Sequence, residues 1–378
     1  MPKLRFKADD GSEFPEWEEI CFGDVFDEII IRTSDTNKYS LYSLTIENGV
    51  TPKTERYERG YLVKKEDNSY KVVPPNAFVY NPMNLRFGAL AVNHECFPVA
   101  VSGYYNVFCL KNNNVLIFWE NYLVSKKMLD YYFSIATGSL IEKLRVHYSN
   151  FIKIKRKLPT LPEQRKIASF LSTIDEIIAK SRAEVEAWEK RKKGVIKKLF
   201  SQEVRFKADD GSEFPEWKEK KIRDILTIYH GKDYKNLQKG IFPVLGTGGE
   251  ITRVNQFLCD WPCVVIGRKG TINKPMFIDE PFWSVDTLFY TKNKEGFLPK
   301  WEYYLFQNID WTRYNEASGV PSLNASTINN IKILSPTLPE QQKIADCLSS
   351  IDEVIKKCKK ELAAWEELKK GLLQQMFI

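Results

Sequence analysis

The segment Gly267-Arg268-Lys269-Gly270-Thr271 sets two cations between glycines directly after an apolar run. Glycine lets a backbone come close to a phosphate strand, and Arg and Lys then reach phosphate oxygens or guanine edges. The chemistry on offer is recognition of a polyanion, with a solvated charged turn as the alternative. Lys274, Arg253 and Lys232 lie in the same stretch of chain and are candidates for DNA contact of the same kind. Arg86, Lys53 and Arg56 are the candidates nearer the N-terminus. Gly246-Thr247-Gly248-Gly249 lacks the Gly-Lys-Ser/Thr ending of a P-loop and reads as a plain loop.

Catalytic readings find less support. Asn81-Pro82-Met83-Asn84 resembles the Asn-Pro-Pro-aromatic element with which adenine methyltransferases hold a flipped base. Here Met stands for the second proline and Asn for the stacking ring, and no glycine-rich strand-turn-helix precedes it. His94, His147 and His230 are scattered, and His94-Glu95-Cys96 lacks the Pro-Cys-x-x-Cys half of a zinc deaminase site, so all three histidines read as structural. The seven cysteines, at 21, 96, 109, 259, 263, 347 and 358, contain no C-x-x-C pair and read as reduced thiols. No catalytic, cofactor-binding or metal-binding residue is assigned.

What must position the candidate contacts is a duplicated frame. Arg5-Phe6-Lys7-Ala8-Asp9-Asp10-Gly11-Ser12-Glu13-Phe14-Pro15-Glu16-Trp17 returns unchanged from Arg205 to Trp217. A second stretch begins Pro159-Thr160-Leu161-Pro162-Glu163-Gln164 and runs through Ile174-Asp175-Glu176, Trp188-Glu189 and Lys192-Lys193-Gly194. It returns as Pro336-Thr337-Leu338-Pro339-Glu340-Gln341, Ile351-Asp352-Glu353, Trp365-Glu366 and Lys369-Lys370-Gly371. The two displacements differ, so residues 18–158 and 218–335 are dissimilar inserts of unequal length in a repeated frame.

The second repeat predicts a long helix from about 162 to 199. Pro162 and Pro339 suit the first helical position, where a missing N–H costs nothing, and Glu then Gln suit the first turn. Ile167, Leu171, Ile174, Ile178 and Trp188 in one copy, and Ile344, Leu348, Ile351, Ile355 and Trp365 in the other, recur in steps dominated by three and four. That is one apolar stripe on an amphipathic helix. A helix of this length, about 57 Å at 1.5 Å per residue, needs a partner, and its own copy is the obvious one, packed as a coiled coil. The first helix leads into the second insert and the second leaves from it, so a side-by-side pair must run antiparallel with a pseudo-two-fold axis across it.

Both inserts read as mixed α/β. Strands are expected at Ala77–Tyr80, Val107–Leu110, Cys263–Ile266 and Thr287–Tyr290, with helices near Asn121–Ile135 and Lys300–Gln307. The 43% hydrophobic content supports real cores, and the excess of 56 Lys+Arg over 49 Asp+Glu mildly favours a nucleic-acid partner. The opening Met1-Pro2-Lys3-Leu4-Arg5-Phe6 is not a signal peptide, and no run is apolar enough for a membrane span, so a cytoplasmic location is expected.

The Pro-Thr-Leu-Pro-Glu-Gln opening with Lys166-Ile167-Ala168, Ile174-Asp175-Glu176, Lys192-Lys193-Gly194 and Leu199-Phe200 resembles the conserved helix of type I restriction-modification specificity subunits. Phrases in the inserts resemble that family's target recognition domains: Pro243 to Gly249, Ile266 to Ile272, Val285 to Tyr290, Gly319 to Leu323, and Tyr80 to Asn84 with Gly88-Ala89. The resemblance implies a first recognition domain over 1–158, a long helix over 159–203, a second domain over 204–335 and a second helix over 336–378. It further implies a non-catalytic subunit that binds double-stranded DNA at an asymmetric bipartite site. Two modification subunits would dock to methylate adenine and restriction subunits would join, so S-adenosylmethionine, ATP and Mg would sit on those partners. The alternatives are a stand-alone DNA methyltransferase or nuclease, and a coiled-coil scaffold with no DNA role.

Overall fold

A computed structural model describes residues 2–53, 69–111, 115–140 and 143–377. By contact the chain forms two units, Met1–Lys180 with Glu361–Ile378, and Ser181–Lys360. The long helices, Leu161–Phe200 and Leu338–Met376, are each shared between the units. None of the described helices is long and apolar enough to cross a membrane.

In the first unit a four-stranded antiparallel sheet runs in the order Phe26–Ile29, Asn106–Leu110, Phe78–Tyr80, Leu90–Val92. Phe78, Val79 and Tyr80 are all buried, because both faces of this short strand are covered and no alternation is needed. The core over one face is aromatic: Phe26 meets Trp119 edge-on at 4.9 Å between centroids and Phe108 at 5.0 Å. Edge-to-face contacts of this kind add to what burial alone supplies. The helical stretch expected near 121–135 is two helices, Leu116–Leu123 and Lys126–Ile135, broken at Val124-Ser125.

The second unit repeats this plan with different residues. Its sheet runs Leu226–His230, Leu288–Asn293, Cys263–Gly267, Met276–Ile278, again antiparallel throughout. The helix Pro299–Asn308 covers it, opened by proline in the first turn. Each insert closes on itself through a two-stranded ribbon that pairs its ends, Glu18 opposite Leu158 in one unit and Lys218 opposite Ser335 in the other.

The apolar stripe of the long helices does two jobs. Ile167 and Leu171 join the core of the first unit together with Met376 and Phe377, while Ile344 and Leu348 join that of the second with Ile196, Leu199 and Phe200. Ile174, Ile178 and Ile355 are buried beyond those cores, Ile351 flanks the second core, and Trp188 and Trp365 are only half-buried. A continuous coiled-coil seam was the expectation. Its first turns are instead shared between the inserts and the last turns of the other long helix. The helices do run antiparallel within each unit. Asp175 pairs with Lys369 at 2.6 Å in the first, and in the second Lys192 meets Asp352 and Glu189 meets Lys359, each at 2.6 Å.

One buried group in the second unit carries a testable pH dependence. Glu302, on the helix Pro299–Asn308, is 0% exposed, and loss of hydration pushes its carboxyl up to about 8 from an ordinary 4.5. Between these values the folded chain holds a proton that the unfolded chain has released, so stability falls as pH rises through the window and levels off above it. Glu302→Gln, which cannot ionise, is expected to flatten this decline and raise the unfolding midpoint above pH 8. Thermal melts of both proteins across that range check it, and an identical slope in the two would remove Glu302 as the cause.

Candidate nucleic-acid interface

The strand Cys263–Gly267 delivers the loop that begins at Arg268, and four separated segments meet there. Arg268 N and Lys269 N donate to Thr287 O at 2.8 and 3.2 Å. Gly270 N donates to Pro321 O at 2.8 Å, and Leu323 N donates back to Arg268 O at 2.8 Å. Val285 N donates to Leu245 O at 3.1 Å, which ties in the hairpin that turns through Gly246 to Gly249. The bonds are all main chain to main chain, so the side chains at the loop are left free to vary.

Glycine is required at two of these positions. A Cβ on Gly267 would lie 2.1 Å from Thr271 O, an impossible approach. Gly270 has φ of +85°, where other residues are strained. The loop is therefore a fixed platform for its two cations. Lys269 is exposed and has no ion-pair partner among the described residues. Arg268 donates through Nη1 to Asp286 O at 3.2 Å, which orients its guanidinium without neutralising it.

The other candidates fall in several environments. Lys232 is exposed beside this cluster, its N–H donating to Ser284 O at 2.7 Å and its carbonyl accepting from Trp283 Nε1 at 2.9 Å. Lys274 is exposed farther along the Arg268 loop. Arg253 is engaged by Glu250 through Nε and Nη2 at 2.8 and 2.9 Å, and by Ile241 O at 3.0 Å through Nη1. Three of its N–H donors are thus engaged within its own hairpin, while the side chain remains 52% exposed. Lys53 is exposed at the end of the strand Gly49–Pro52, and Arg56 lies outside the described residues. Arg86 is 8% exposed, its guanidinium 4.7 Å from the centre of the Phe87 ring and 5.5 Å from that of Phe133. That is a largely buried position against two exposed rings.

The first unit has a loop at the same place in its sheet. It leaves the strand Phe78–Tyr80 at Asn81 and is pinned in the same manner, with Val146 N donating to Pro82 O at 2.9 Å. Asn81 Oδ1 accepts from Met83 N at 3.0 Å and Asn84 N donates to Asn81 O at 3.0 Å, so the Asn-Pro-Met-Asn run is a hydrogen-bonded turn. What it presents is different. Phe87 and Phe133 are 52% and 55% exposed, and Ile46 is exposed beside Gly88. One platform shows cations and the other apolar rings.

His94, His147 and His230 are all exposed. His94 Nε2 lies 2.8 Å from Glu120 Oε1, which raises its affinity for a proton, and His230 packs edge-on against Phe289 at 5.0 Å. Among the described residues no group of three or more His, Cys, Asp or Glu is arranged to hold a metal ion.

A repeated feature escaped the sequence reading. Glu163, 0% exposed in the first turn of its helix, accepts from Arg5 Nε and Nη2 at 3.0 and 2.7 Å and from Trp17 Nε1 at 3.2 Å. Glu340 repeats this with Arg205 at 3.1 and 2.9 Å and Trp217 at 3.0 Å. The two repeated stretches of sequence are therefore the two halves of one clamp. Their recurrence together, Arg and Trp with Glu in both copies, was the signal available.

Comparison with known proteins agrees with this duplicated plan. The family described as type I restriction modification DNA specificity domain matches residues 15–187 and again residues 215–364. A Methanocaldococcus jannaschii protein, the type I restriction enzyme MjaVIII specificity subunit, is 29% identical over 264 residues, 59% of this chain and 61% of that relative's length. The putative MjaX specificity subunit of the same organism is 25% identical over 97% of this chain and 94% of its own. Among solved structures, the type I restriction-modification S subunit from M. genitalium superposes with a TM-score of 0.60 at 16% identity, covering 100% of this chain and 99% of that one. A chain from a structural study of complex assembly in a type I R-M system gives a TM-score of 0.57 at 15% identity, over 96% and 98% of the two chains. With the specificity domain matched twice, once in each half of the duplicated frame, the chain belongs to the type I restriction-modification specificity-subunit family.

Proposed function

We propose that this chain is the DNA-reading subunit of a type I restriction-modification assembly, and that its two inserts read the two halves of an asymmetric bipartite site. The observation that carries the reading is the pair of loops at the same sheet position, pinned alike by main-chain bonds, one exposing Phe87 and the other Lys269 and Lys274. A shared platform with variable side chains is what two readers of different base sequences require. Cations suit phosphate and guanine edges, while exposed apolar groups suit thymine methyls. The relatives are named for specificity rather than for catalysis.

Two modification subunits dock in this reading, because the frame presents the same surface twice, and restriction subunits join that assembly. S-adenosylmethionine, ATP and Mg belong to those partners, and the assembly works in the cytoplasm. Replacing Arg268 and Lys269 together by Ala is expected to weaken binding to the recognised duplex by about tenfold or more, each good base or phosphate contact being worth roughly 1–3 kcal/mol. The salt dependence should flatten by about one unit per lost phosphate contact. Titrations at several salt concentrations check both, and unchanged affinity and slope would return this turn to the solvated surface.

A further inference from the structure

The first long helix carries Lys193 and Lys197 one turn apart, both exposed. Their neighbours on that helix are neutralised, Lys192 by Asp352 at 2.6 Å and Lys198 by Glu203 at 3.0 Å. Lys193 and Lys197 meet no carboxylate among the described residues, and like charges at this spacing repel each other. A third lysine joins them. Lys274, on the loop that starts at Arg268, lines the same open concavity of about 530 Å³, together with Asn273, Gln307 and Asn308. Three ammonium groups and three side-chain amides face this space, and no acidic residue lines it.

The duplicated frame does not call for such a cluster. The residues equivalent to Lys193 and Lys197 in the second long helix are Lys370, which has Glu367 at 3.8 Å, and Gln374. Lys193 is thus common to both helices, while Lys197 and Lys274 are what the second unit adds. We infer that the concavity is a phosphate-binding site for the DNA backbone, flanking the bases that face Arg268 and Lys269. This rests on the DNA-reading function proposed above and deepens it by giving the frame helix a contact of its own.

Reach is consistent with one continuous strand. Lys274 follows Arg268 by six residues, at most about 20 Å of chain, which spans about six base pairs at 3.4 Å each. Contacts to phosphate fix register and add affinity while carrying no base information. The lining also argues against an acidic protein surface as occupant, since protein interfaces centre on aromatic and apolar groups, and no aromatic residue lines this space beside Ile196 and Pro275.

The test replaces Lys193, Lys197 and Lys274 by Ala in the full chain and measures binding to two duplexes across a salt series, one with the recognised site and one of arbitrary sequence. The slope of log affinity against log salt is expected to fall by about 2 to 3 units on both, and the Lys→Arg triple to restore it. An unchanged slope, with the Arg268→Ala, Lys269→Ala protein still impaired, would overturn the phosphate site and leave the DNA-reading function standing. Slopes unchanged in both proteins would remove both. Normal DNA binding with weakened binding to purified modification subunit would overturn the site in favour of a protein contact.

Discussion

Exchanging residues 18–158 for the matching insert of another family member is expected to change one half of the DNA sequence that the assembled enzyme methylates and to leave the other half alone. The insert is a closed graft, because its first and last strands pair with each other, Glu18 opposite Leu158. The Arg5 and Trp17 clamp on Glu163 lies outside it, so the frame keeps its own fastening. The underside must still fit the helices. Phe118 and Tyr122 pack edge-on against Phe377 at 5.7 and 5.4 Å, so an acceptable donor insert keeps apolar rings at those positions. Sequencing the methylated sites of the chimaera decides the matter. If both halves changed together, the inserts would not be independent readers.

Glu340→Ala is expected to destabilise the second unit by about 3–5 kcal/mol, the usual result of removing one partner of a buried ion pair. The carboxylate is 0% exposed and takes three hydrogen bonds from Arg205 and Trp217. Its loss leaves an indole N–H without its acceptor and a guanidinium, only 17% exposed, with the Phe214 and Pro215 carbonyls and Glu216 at 3.7 Å as its remaining partners. The penalty comes from the stranded charge more than from the lost attraction. Arg205→Met combined with Glu340→Leu should therefore recover part of the stability, since an apolar pair of similar volume strands no charge and leaves only the Trp217 indole N–H and two carbonyls without their partners. Denaturant unfolding of the single and double variants measures this, and additive losses would show that the two residues act separately. Glu163→Ala should weaken the first unit in the same way, through Arg5 and Trp17.

The duplicated frame, the two long helices and the mixed α/β inserts were legible from residues alone. Each depends on a local pattern: an exact thirteen-residue repeat, apolar steps of three and four after Pro162 and Pro339, and short apolar runs between turn residues. Such patterns act through neighbours in the chain, and the helix Leu161–Phe200 begins within one residue of where proline and Glu-Gln place it. The sequence also determined the antiparallel direction of the helices, because connectivity permits no other side-by-side pairing.

Tertiary structure decided what depends on distant partners. Arg86 and Lys269 look alike as basic residues near glycine, yet packing buries one under Phe87 and Phe133 and exposes the other. The apolar stripe does not state its partners, and Ile167, Leu171, Ile344 and Leu348 pack into cores that the inserts and the other long helix build together. Glu163 reads locally as a helix-start acid. Only the return of Arg5 and Trp17 across the fold makes it a buried clamp. Burial and charge pairing are sums over contacts from separate segments, and no pattern confined to one segment contains them.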